Sequence, residues 1–248
     1  TVAHRQPGYR AVVVSLKKPG VPPGDATSAQ LDGFRHDEKI LTFGACPTWW
    51  MSATLDKARL GTVDHKDIAA ALPEEKLSKE EETGGRSHAL ITAQKKLSLA
   101  RLALNSTTKS EYPKQLAALI KDGHSPGTLT LVVVNRVSRA REIFEALTEQ
   151  EKKGKQTLPA LYPLENVALI HSRFRPIDRE RHTRLLSGDG DRIVIATQAV
   201  EAGVDVSARL LVTELAPWSS LVQRMGRCNR RADISDAQVL WVDIQPKD

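Results

Sequence analysis

The residues best suited to chemistry in this chain lie in the segment Gln223-Arg224-Met225-Gly226-Arg227-Cys228-Asn229-Arg230. If this segment is helical, Gln223, Arg227 and Arg230 fall at i, i+4 and i+7 and project from one face. Two guanidinium groups on one face form a rigid clamp for a dispersed negative charge, such as the γ-phosphate of a nucleoside triphosphate. A solvated basic helix face or a phosphate-binding patch on a nucleic-acid module has the same pattern, so the segment alone leaves these alternatives open.

The composition indicates a globular protein with a basic balance. The 248 residues suffice for one large domain or two small ones, and 40% apolar with 27% charged residues is ordinary for such a chain. Aromatic residues make up only 4%, which argues against an aromatic-rich base-stacking platform. A net charge of +6 and a pI near 9.4 are compatible with a polyanionic partner but do not establish one.

The two cysteines, Cys46 and Cys228, are far apart and form no Cys-x-x-Cys motif. This spacing argues against a disulfide framework or a zinc site and suits a reducing cytoplasm. No apolar run approaches the roughly 20 residues of a membrane span, so no membrane partner is expected. Because the sequence begins at Thr1 rather than Met, we expect it to be a piece of a longer protein.

From about Gly127 onward, short apolar runs alternate with amphipathic stretches. Runs rich in β-branched residues are typical of strands that are buried on both faces. The predicted strands are 129–134, 167–170, 193–196, 210–212 and 239–242. Strands that alternate with helices predict an α/β fold with a mainly parallel sheet covered on both faces.

Three helices are predicted around these strands. Ser138 is expected to cap a helix whose apolar face has the spacing i, i+3, i+4 and i+7. That face consists of Ala140, Ile143, Phe144 and Leu147. Tyr112-Pro113 begins another helix, and Pro176 suits the first turn of a third that ends before Gly188.

The first part of the chain is less regular. The run 11–14 predicts a strand, and Trp49-Trp50-Met51 predicts another that ends at Ser52-Ala53-Thr54. The charged tract 74–82 has the composition of a mobile, solvated linker.

The strand 193–196 leads into a loop with three residues suited to a ligand. In open parallel sheets, ligands bind beyond the carboxyl ends of the strands, where this loop is expected to lie. Thr197 offers a hydroxyl and an N–H to a phosphate, Gly203 allows close approach of the backbone, and Asp205 can accept a bond from a ribose hydroxyl. Taken singly, each has an ordinary structural alternative: a helix cap, a turn and a solvated charge.

Together these patterns resemble the motifs of superfamily 2 helicases. The pattern T-x-x-x-x-x-G-x-D from Thr197 followed by Q-R-x-G-R-x-x-R from Gln223 resembles motifs V and VI, and Ser52-Ala53-Thr54 resembles motif III. The stretch 131–141 lies where motif IV belongs. The fold implied is a RecA-like three-layer sandwich, namely the second lobe of such a helicase, preceded by a partial first lobe and a linker.

A narrower resemblance is to the CRISPR-associated type I helicase-nuclease, which degrades invading DNA. It is carried by His171-Ser172-Arg173-Phe174, by 201–207 and by the Cys228-Asn229 pair. The segments 214–218, 51–55 and 63–65 are most similar in sequence to the variant found in I-G (formerly I-U) systems. The domains implied are the end of the first lobe (1–60), an interlobe linker and irregular segment (61–112) and the second lobe (113–248).

For the nucleotide, the resemblance implies that Arg227 and Arg230 reach the γ-phosphate of ATP, with Arg230 as the arginine finger. Gln223 would bond near the γ-phosphate or the attacking water. Gly203 and Asp205 would touch the nucleotide, with Asp205 near the ribose.

For the nucleic acid, the resemblance implies that Thr197, Arg173, Asn135 and Arg136 hold backbone phosphates of single-stranded DNA. Ser52 and Thr54 would couple the nucleotide state to that grip, and His171 is assigned to packing. The implied partners are the first RecA-like lobe, a nuclease domain and the CRISPR target-recognition complex.

The chain lacks the rest of an ATPase site. It contains no G-x-x-x-x-G-K-[ST] loop for the phosphates and no D-E-x-[DH] sequence for Mg²⁺. We therefore expect ATP with Mg²⁺ as the cofactor, the metal ligands on another lobe, and no ATP hydrolysis by this chain alone. Two alternatives remain: another superfamily 2 helicase acting on RNA or DNA, or a non-catalytic basic nucleic-acid-binding module with a degenerate helicase fold.

Overall fold

The computed structural model describes residues 11–15, 48–52, 60–61, 74–75, 78–153, 156–172, 185–186, 188–201 and 204–245. The chain divides into two compact units, Thr1–His88 and Ala89–Asp248, and each is described by itself. The second unit holds every predicted site residue except Ser52 and Thr54.

The described part of the first unit contains a short parallel sheet. Its strands are β1 (Ala11–Ser15), β2 (Thr48–Ser52) and β3 (Glu74–Glu75), in the order β2-β1-β3. The two strands predicted here are confirmed, and Ser52 is the last residue of β2. The tract 74–82 is more ordered than predicted, because helix α1 (Lys79–Thr83) begins there with a capping box. In it Ser78 Oγ accepts from Glu81 N at 3.2 Å, and Glu81 Oε2 accepts from Ser78 N at 2.8 Å.

Helix α2 (Gly85–Thr92) begins in the first unit and ends in the second. The elements that follow are β4 (Lys96–Leu104), α3 (Tyr112–Gly123), β5 (Leu129–Val133), α4 (Val137–Thr148), β6 (Glu151–Lys153), β7 (Gln156–Leu158), β8 (Val167–Ile170), β9 (Arg192–Ala196), β10 (Leu210–Glu214), α5 (Trp218–Met225) and β11 (Gln238–Ile244). Short 3₁₀ turns cover Leu164–Asn166 and Gln198–Val200.

The second unit is built on one sheet of six described strands. Their order is β4-β11-β10-β5-β9-β8, and all five pairings are parallel. All six strands therefore start at one end of the sheet, here called the amino end, and finish at the other, the carboxyl end. The five strands predicted for this unit are present, which confirms the α/β class and the mainly parallel sheet.

The central strands are buried along their whole length. Every residue of β5 and β10 is buried, as expected for runs of β-branched and leucine residues covered on both faces. Alternate residues of each strand point to opposite faces, so each strand contributes to two separate cores.

Helices α3 and α4 cover one face of the sheet. The predicted face of α4 is confirmed: Ala140, Ile143 and Leu147 are buried, and Phe144 packs beside them. The predicted cap is wrong, because Arg136 is the N-cap residue and Ser138 lies inside the first turn without a side-chain cap bond. Helix α3 begins at Tyr112, as predicted.

The other face is packed by irregular segments among the described residues. Val200, Val206, Ala208 and Cys228 are all buried there against residues of β5, β9 and β10. The helix predicted from Pro176 lies almost entirely outside the described residues. This irregular face carries the segments 197–201 and 204–209, which contain two of the predicted site residues.

Strand β4 was not predicted. The segment 96–104 was assigned to the linker, but it pairs with β11 as an edge strand of the sheet. Its burial keeps one alternation, but its leucines move from odd positions (97 and 99) to even ones (102 and 104), so Leu97 and Leu99 are exposed while Ala100 and Leu104 are buried. A leucine pattern that changes phase within nine residues fits neither the two-residue period of a strand nor the 3.6-residue period of a helix. The sheet of this unit thus begins before residue 113.

A partly buried polar cluster holds the amino end of the sheet together. Asp191, just before β9, accepts bonds from His124 Nε2 at 2.7 Å, Gly127 N at 3.0 Å and Asn166 Nδ2 at 3.2 Å. Its other strong partner is the hydroxyl of Tyr162. These bonds, that of Tyr162 first, lower the pKa of Asp191 to about 2. One carboxylate therefore ties the end of α3 and the turn before β8 to β9.

Replacing Asp191 by asparagine is expected to lower the free energy of unfolding by about 1–3 kcal/mol at neutral pH, because the buried His124 and three further donors lose a charged acceptor. The pKa of this carboxyl is lower in the folded chain than its ordinary 3.8, so its stabilisation is complete above about pH 4 and lost as the pH falls toward 2. Urea unfolding at pH 7 and pH 3 measures both effects. The exposed neighbour Asp189 gives the matched control Asp189→Asn; equal losses in the two variants would contradict the role of Asp191.

Candidate functional site

The predicted arginine face is not part of one helix. Helix α5 ends at Met225, so Gln223 lies on the helix while Arg227 and Arg230 lie in the turns that follow. The prediction of a continuous helical face is therefore wrong. Gln223 is exposed, whereas the two arginines have different environments.

Backbone bonds to a neighbouring segment explain why the helix stops. Ala208 N donates to Arg227 O at 2.8 Å, and Asn229 N donates to Ala208 O at 2.9 Å, which makes an isolated parallel bridge. Asn229 has a φ of 45°, in the left-handed region that asparagine tolerates better than most residues. Lys95 Nζ donates to Met225 O at 2.8 Å and so binds a carbonyl at the end of the helix. These contacts direct the chain after Met225 toward residues 205–208.

Arg227 is buried and bound to backbone carbonyls. Its Nε donates to Val200 O at 3.0 Å and its Nη2 donates to Glu201 O. Burial, and then the nearby charge of Arg230, lower the pKa of its guanidinium. Arg227 therefore holds the turn that follows Thr197.

Arg230 is half-exposed and pairs with Asp205. Its Nε lies 2.9 Å from Asp205 Oδ1, and the side chains are 44% and 73% exposed. The sequence predicted both residues at a nucleotide, and the structure brings them into contact with each other. Their proximity follows from the Ala208–Cys228 bridge between the segments that carry them.

Asp205 does not lie where the sequence suggested. It lines a cavity of about 630 Å³ together with Thr128, Arg192 and Arg209, which lie at or just before the starts of β5, β9 and β10. Asp205 is therefore at the amino end of the sheet, whereas Thr197 is at the carboxyl end. The intervening segment runs down the irregular face, and Val200 and Val206 are buried on the way.

The carboxyl end carries the predicted nucleic-acid contacts. Thr197 follows β9 and is buried; among the described residues its hydroxyl has no hydrogen-bond partner, while its N–H donates to Ile170 O at 3.1 Å. Asn135 and Arg136 follow β5, and Arg136 is exposed. The Thr197 N–H is thus already bonded, and the Thr197 hydroxyl remains the group suited to a phosphate.

Arg224 is a residue whose importance the sequence did not reveal. It lies outside the predicted arginine face, and its side chain is fully buried. Its guanidinium donates to the Glu201 carboxylate, to the Thr213 hydroxyl and to the side-chain oxygen of Asn135. Asn135 therefore uses its amide oxygen inside the protein, and its Nδ2 donates to Leu215 O at 2.8 Å.

A second buried charge adjoins this group. Glu214, the last residue of β10, accepts two bonds of 2.6 Å from Arg139 and one of 2.6 Å from the backbone N–H of Asn135. Tyr112 also donates to it at 3.2 Å, and burial and then the carboxylate raise the pKa of this phenol. The bonds from Asn135 N to Glu214 and from Arg224 to the Asn135 side chain fix this loop against the end of the sheet.

The remaining predicted residues divide into two groups. His171 is buried after β8, as its assignment to packing suggests. Cys228 is buried too, and burial raises the pKa of its thiol to about 11. Arg173, Gly203 and Thr54 lie outside the described residues, and of Ser52 only the backbone is described.

The described part of the chain shows neither a metal site nor a membrane-spanning helix. Within it, no set of three His, Cys, Asp or Glu side chains is placed to hold a metal ion. Among the same residues, no helix has the length and apolar character needed to cross a bilayer.

Comparison of sequences identifies relatives of the site region. Residues 126–233 match the family model "CRISPR-associated nuclease/helicase Cas3, C-terminal". The chain is 37% identical over 118 residues to a CRISPR-associated helicase Cas3 of Thermoproteus tenax, which is 46% of this chain and 18% of that protein. It is 38% identical over 73 residues to a CRISPR-associated endonuclease/helicase Cas3 of Escherichia coli, 26% of this chain and 8% of that protein. The matches thus span less than a fifth of each of these two relatives.

Solved structures share the fold. The T. fusca Cas3-ATP structure matches with a TM-score of 0.57 at 18% identity, over 96% of this chain and 30% of that one. The Mycobacterium smegmatis helicase Lhr, bound to ssDNA and AMP-PNP, matches with 0.55 at 16% identity, over 94% of this chain and 28% of that one.

The fold defines the class: the second unit has the RecA-like fold that these helicase structures share. Within that class, residues 126–233 are similar to the C-terminal region of the CRISPR-associated nuclease/helicase Cas3. The assignment to the I-G variant stays a prediction.

Replacing Asn229 by alanine is expected to lower the free energy of unfolding by about 2–3 kcal/mol. The variant combines a strained left-handed residue with the loss of two side-chain bonds, to Gln94 O and from Ile234 N. Asn229→Gly is the matched control, since glycine accepts the positive φ and loses only the side-chain bonds. Urea unfolding compares the two, and equal losses would show that the backbone angle does not constrain this turn.

Proposed function

We propose that this chain is the second motor lobe of an ATP-dependent translocase or helicase that acts on single-stranded DNA in CRISPR interference. The family match of residues 126–233 and the RecA-like fold support the proposal. When bound, ATP with Mg²⁺ supplies the free energy for movement. The first lobe provides the phosphate-binding loop and the metal ligands, and this chain alone does not hydrolyse ATP.

The observation that carries the proposal is the difference between Arg227 and Arg230. Arg227 is buried and committed to two carbonyl oxygens, so it positions the turn at 200–201. Arg230 is half-exposed and pairs with an exposed carboxylate. Exposed ion pairs contribute only about 0–1 kcal/mol, so a phosphate can displace Asp205 at little cost. We therefore assign the arginine finger to Arg230 and a supporting role to Arg227.

The charges around this turn suit a triphosphate. Lys95, Arg227 and Arg230 lie close enough that Arg230 contributes to a lower pKa in both neighbours, after the larger effect of burial. Cations held near one another repel, and an anion placed among them relieves that repulsion. In the proposal, Gln223 bonds near the γ-phosphate or the attacking water, and Asp205 and Gly203 contact the nucleotide.

The carboxyl end of the sheet provides the nucleic-acid contacts in the proposal. The Thr197 hydroxyl and the exposed Arg136 bind backbone phosphates, and the Asn135 loop positions Arg136. Arg173 is a further phosphate contact in the proposal. Contacts of this kind follow the strand without selecting its sequence. Coupling by Ser52 and Thr54, a nuclease domain and a target-recognition complex as partners are further parts of the proposal.

One observation favours a second candidate, a non-catalytic nucleic-acid-binding module. Two arginines in motif VI would argue against such a module, because a scaffold needs no phosphate clamp, yet Arg227 has a structural role of its own. The argument for catalysis therefore depends on Arg230. ATP turnover by the complete protein distinguishes the two candidates.

In the complete protein, Arg230→Ala is expected to reduce ATP turnover by about 10³–10⁵-fold, as the loss of other arginine fingers does. Binding of single-stranded DNA should remain, because Arg230 lies at the opposite end of the sheet from Thr197. The exposed neighbour Arg231 supplies the matched control Arg231→Ala. Steady-state ATPase and fluorescence-anisotropy assays give both readouts, and an equal loss of DNA affinity would rule out the assigned role.

Arg136→Ala is expected to weaken binding of single-stranded DNA irrespective of sequence. Losing one phosphate contact should reduce the slope of log K against log salt by about 0.7. Arg101→Ala, at an exposed arginine of the edge strand β4, is the control. A salt titration measures the slope; an unchanged slope would remove Arg136 from the interface.

A further inference from the structure

Arg224 is a fully buried cation whose three guanidinium nitrogens all donate hydrogen bonds. Nε donates to Glu201 Oε1 at 2.8 Å, Nη1 to Thr213 Oγ1 and Glu214 O, both at 3.1 Å, and Nη2 to Asn135 Oδ1 at 3.0 Å. A buried charge is costly unless it is paired and hydrogen-bonded, and an apolar side chain fills space without that cost. What the guanidinium provides here is a rigid connection among three segments.

The first connected segment is the loop after β5. Asn135 is held by Arg224 through its side-chain oxygen, by Leu215 O through its Nδ2 and by Glu214 through its N–H. The next residue is the exposed Arg136. The bond from Arg224 therefore helps to set where the loop presents its cation.

The second connected segment is the turn after Thr197. Glu201 accepts from Arg224 through its carboxylate and from Arg227 through its backbone oxygen. Arg224 and Arg227, two arginines of one motif, thus both donate hydrogen bonds to Glu201. This turn leads toward Asp205 and the finger candidate Arg230.

From this geometry we infer that Arg224 is a positioning residue that couples the loop presenting Arg136 to the turn that leads from Thr197 toward the nucleotide residues Asp205 and Arg230. It touches neither ligand; it holds the Asn135 loop and the Glu201 turn in one arrangement, so that a shift of either is transmitted to the other. Among the described residues, it is the side chain bonded to both. The inference rests on the proposed function, since the coupling has meaning only if the residues on both segments bind ligands.

A lysine at this position tests the inference. Arg224→Lys keeps the charge, but one ammonium group cannot span Glu201, Thr213 and Asn135 together as a planar guanidinium does. In the complete protein, ATP turnover is measured without DNA and at saturating single-stranded DNA. We expect the ratio of the two rates to fall at least about fivefold, the lower range of typical coupling between sites.

Controls separate coupling from stability. Ile143→Val weakens the core on the helix-covered face and touches no residue of this group, so it should leave the ratio within about twofold of the wild type. Glu201→Gln removes the charged partner and should lower the ratio by itself. Combined with Arg224→Lys it should add little further, because both changes break the same connection.

The possible outcomes are distinct. If wild-type turnover responds to DNA and Arg224→Lys retains that response, the inference is wrong while the proposed function stands. An equal fall in Ile143→Val would also overturn it. If the wild type shows no DNA-dependent turnover, the proposed function fails and the inference fails with it. Asn135→Ala, which breaks the same connection from its exposed end, gives the same test should Arg224→Lys not fold.

Discussion

The parallel direction of every strand pairing in the six-stranded sheet of the second unit determines where its functional residues can lie. Each strand ends at the carboxyl end, so each connection must return to the amino end across one face before the next strand begins. The connection between β9 and β10 carries Thr197 at its start and Asp205 near its finish. One motif therefore reaches both ends of the sheet, which allows it to touch one ligand at each.

Burial divides the three arginines of the segment 223–230 into different roles. Arg224 is fully buried, Arg227 is 8% exposed, and the side chain of Arg230 is 44% exposed. Buried guanidinium groups need several fixed acceptors and so order the segments around them, whereas an exposed one can exchange partners. In the sequence the three arginines look equivalent. Burial gives Arg224 and Arg227 structural roles, and it leaves the guanidinium of Arg230 able to bind a ligand.

Periodicity predicted those parts of the fold in which one pattern persists. The apolar strands and the buried face of α4 follow directly from it, as does the order of helices and strands after Gly127. Strand β4 was missed because its leucine pattern changes phase midway. The helical arginine face was wrong because a bridge from Ala208 and the left-handed Asn229 end the helix, and neither contact is local in sequence. Arg224 was missed because spacing gives a direction around a helix but not the depth of burial.

The pairing of Arg230 with Asp205 gives both side chains a partner that a ligand can replace. Both side chains are exposed, and each holds the other only weakly, since water screens an exposed pair. A phosphate with higher charge density competes well for the guanidinium, and the displaced carboxylate becomes free to accept a bond from a hydroxyl. One exchange of partners would thus prepare both residues for the roles proposed for them. Arg227 cannot take part in such an exchange without giving up its bonds to Val200 and Glu201, and this is the physical reason to place the finger at Arg230.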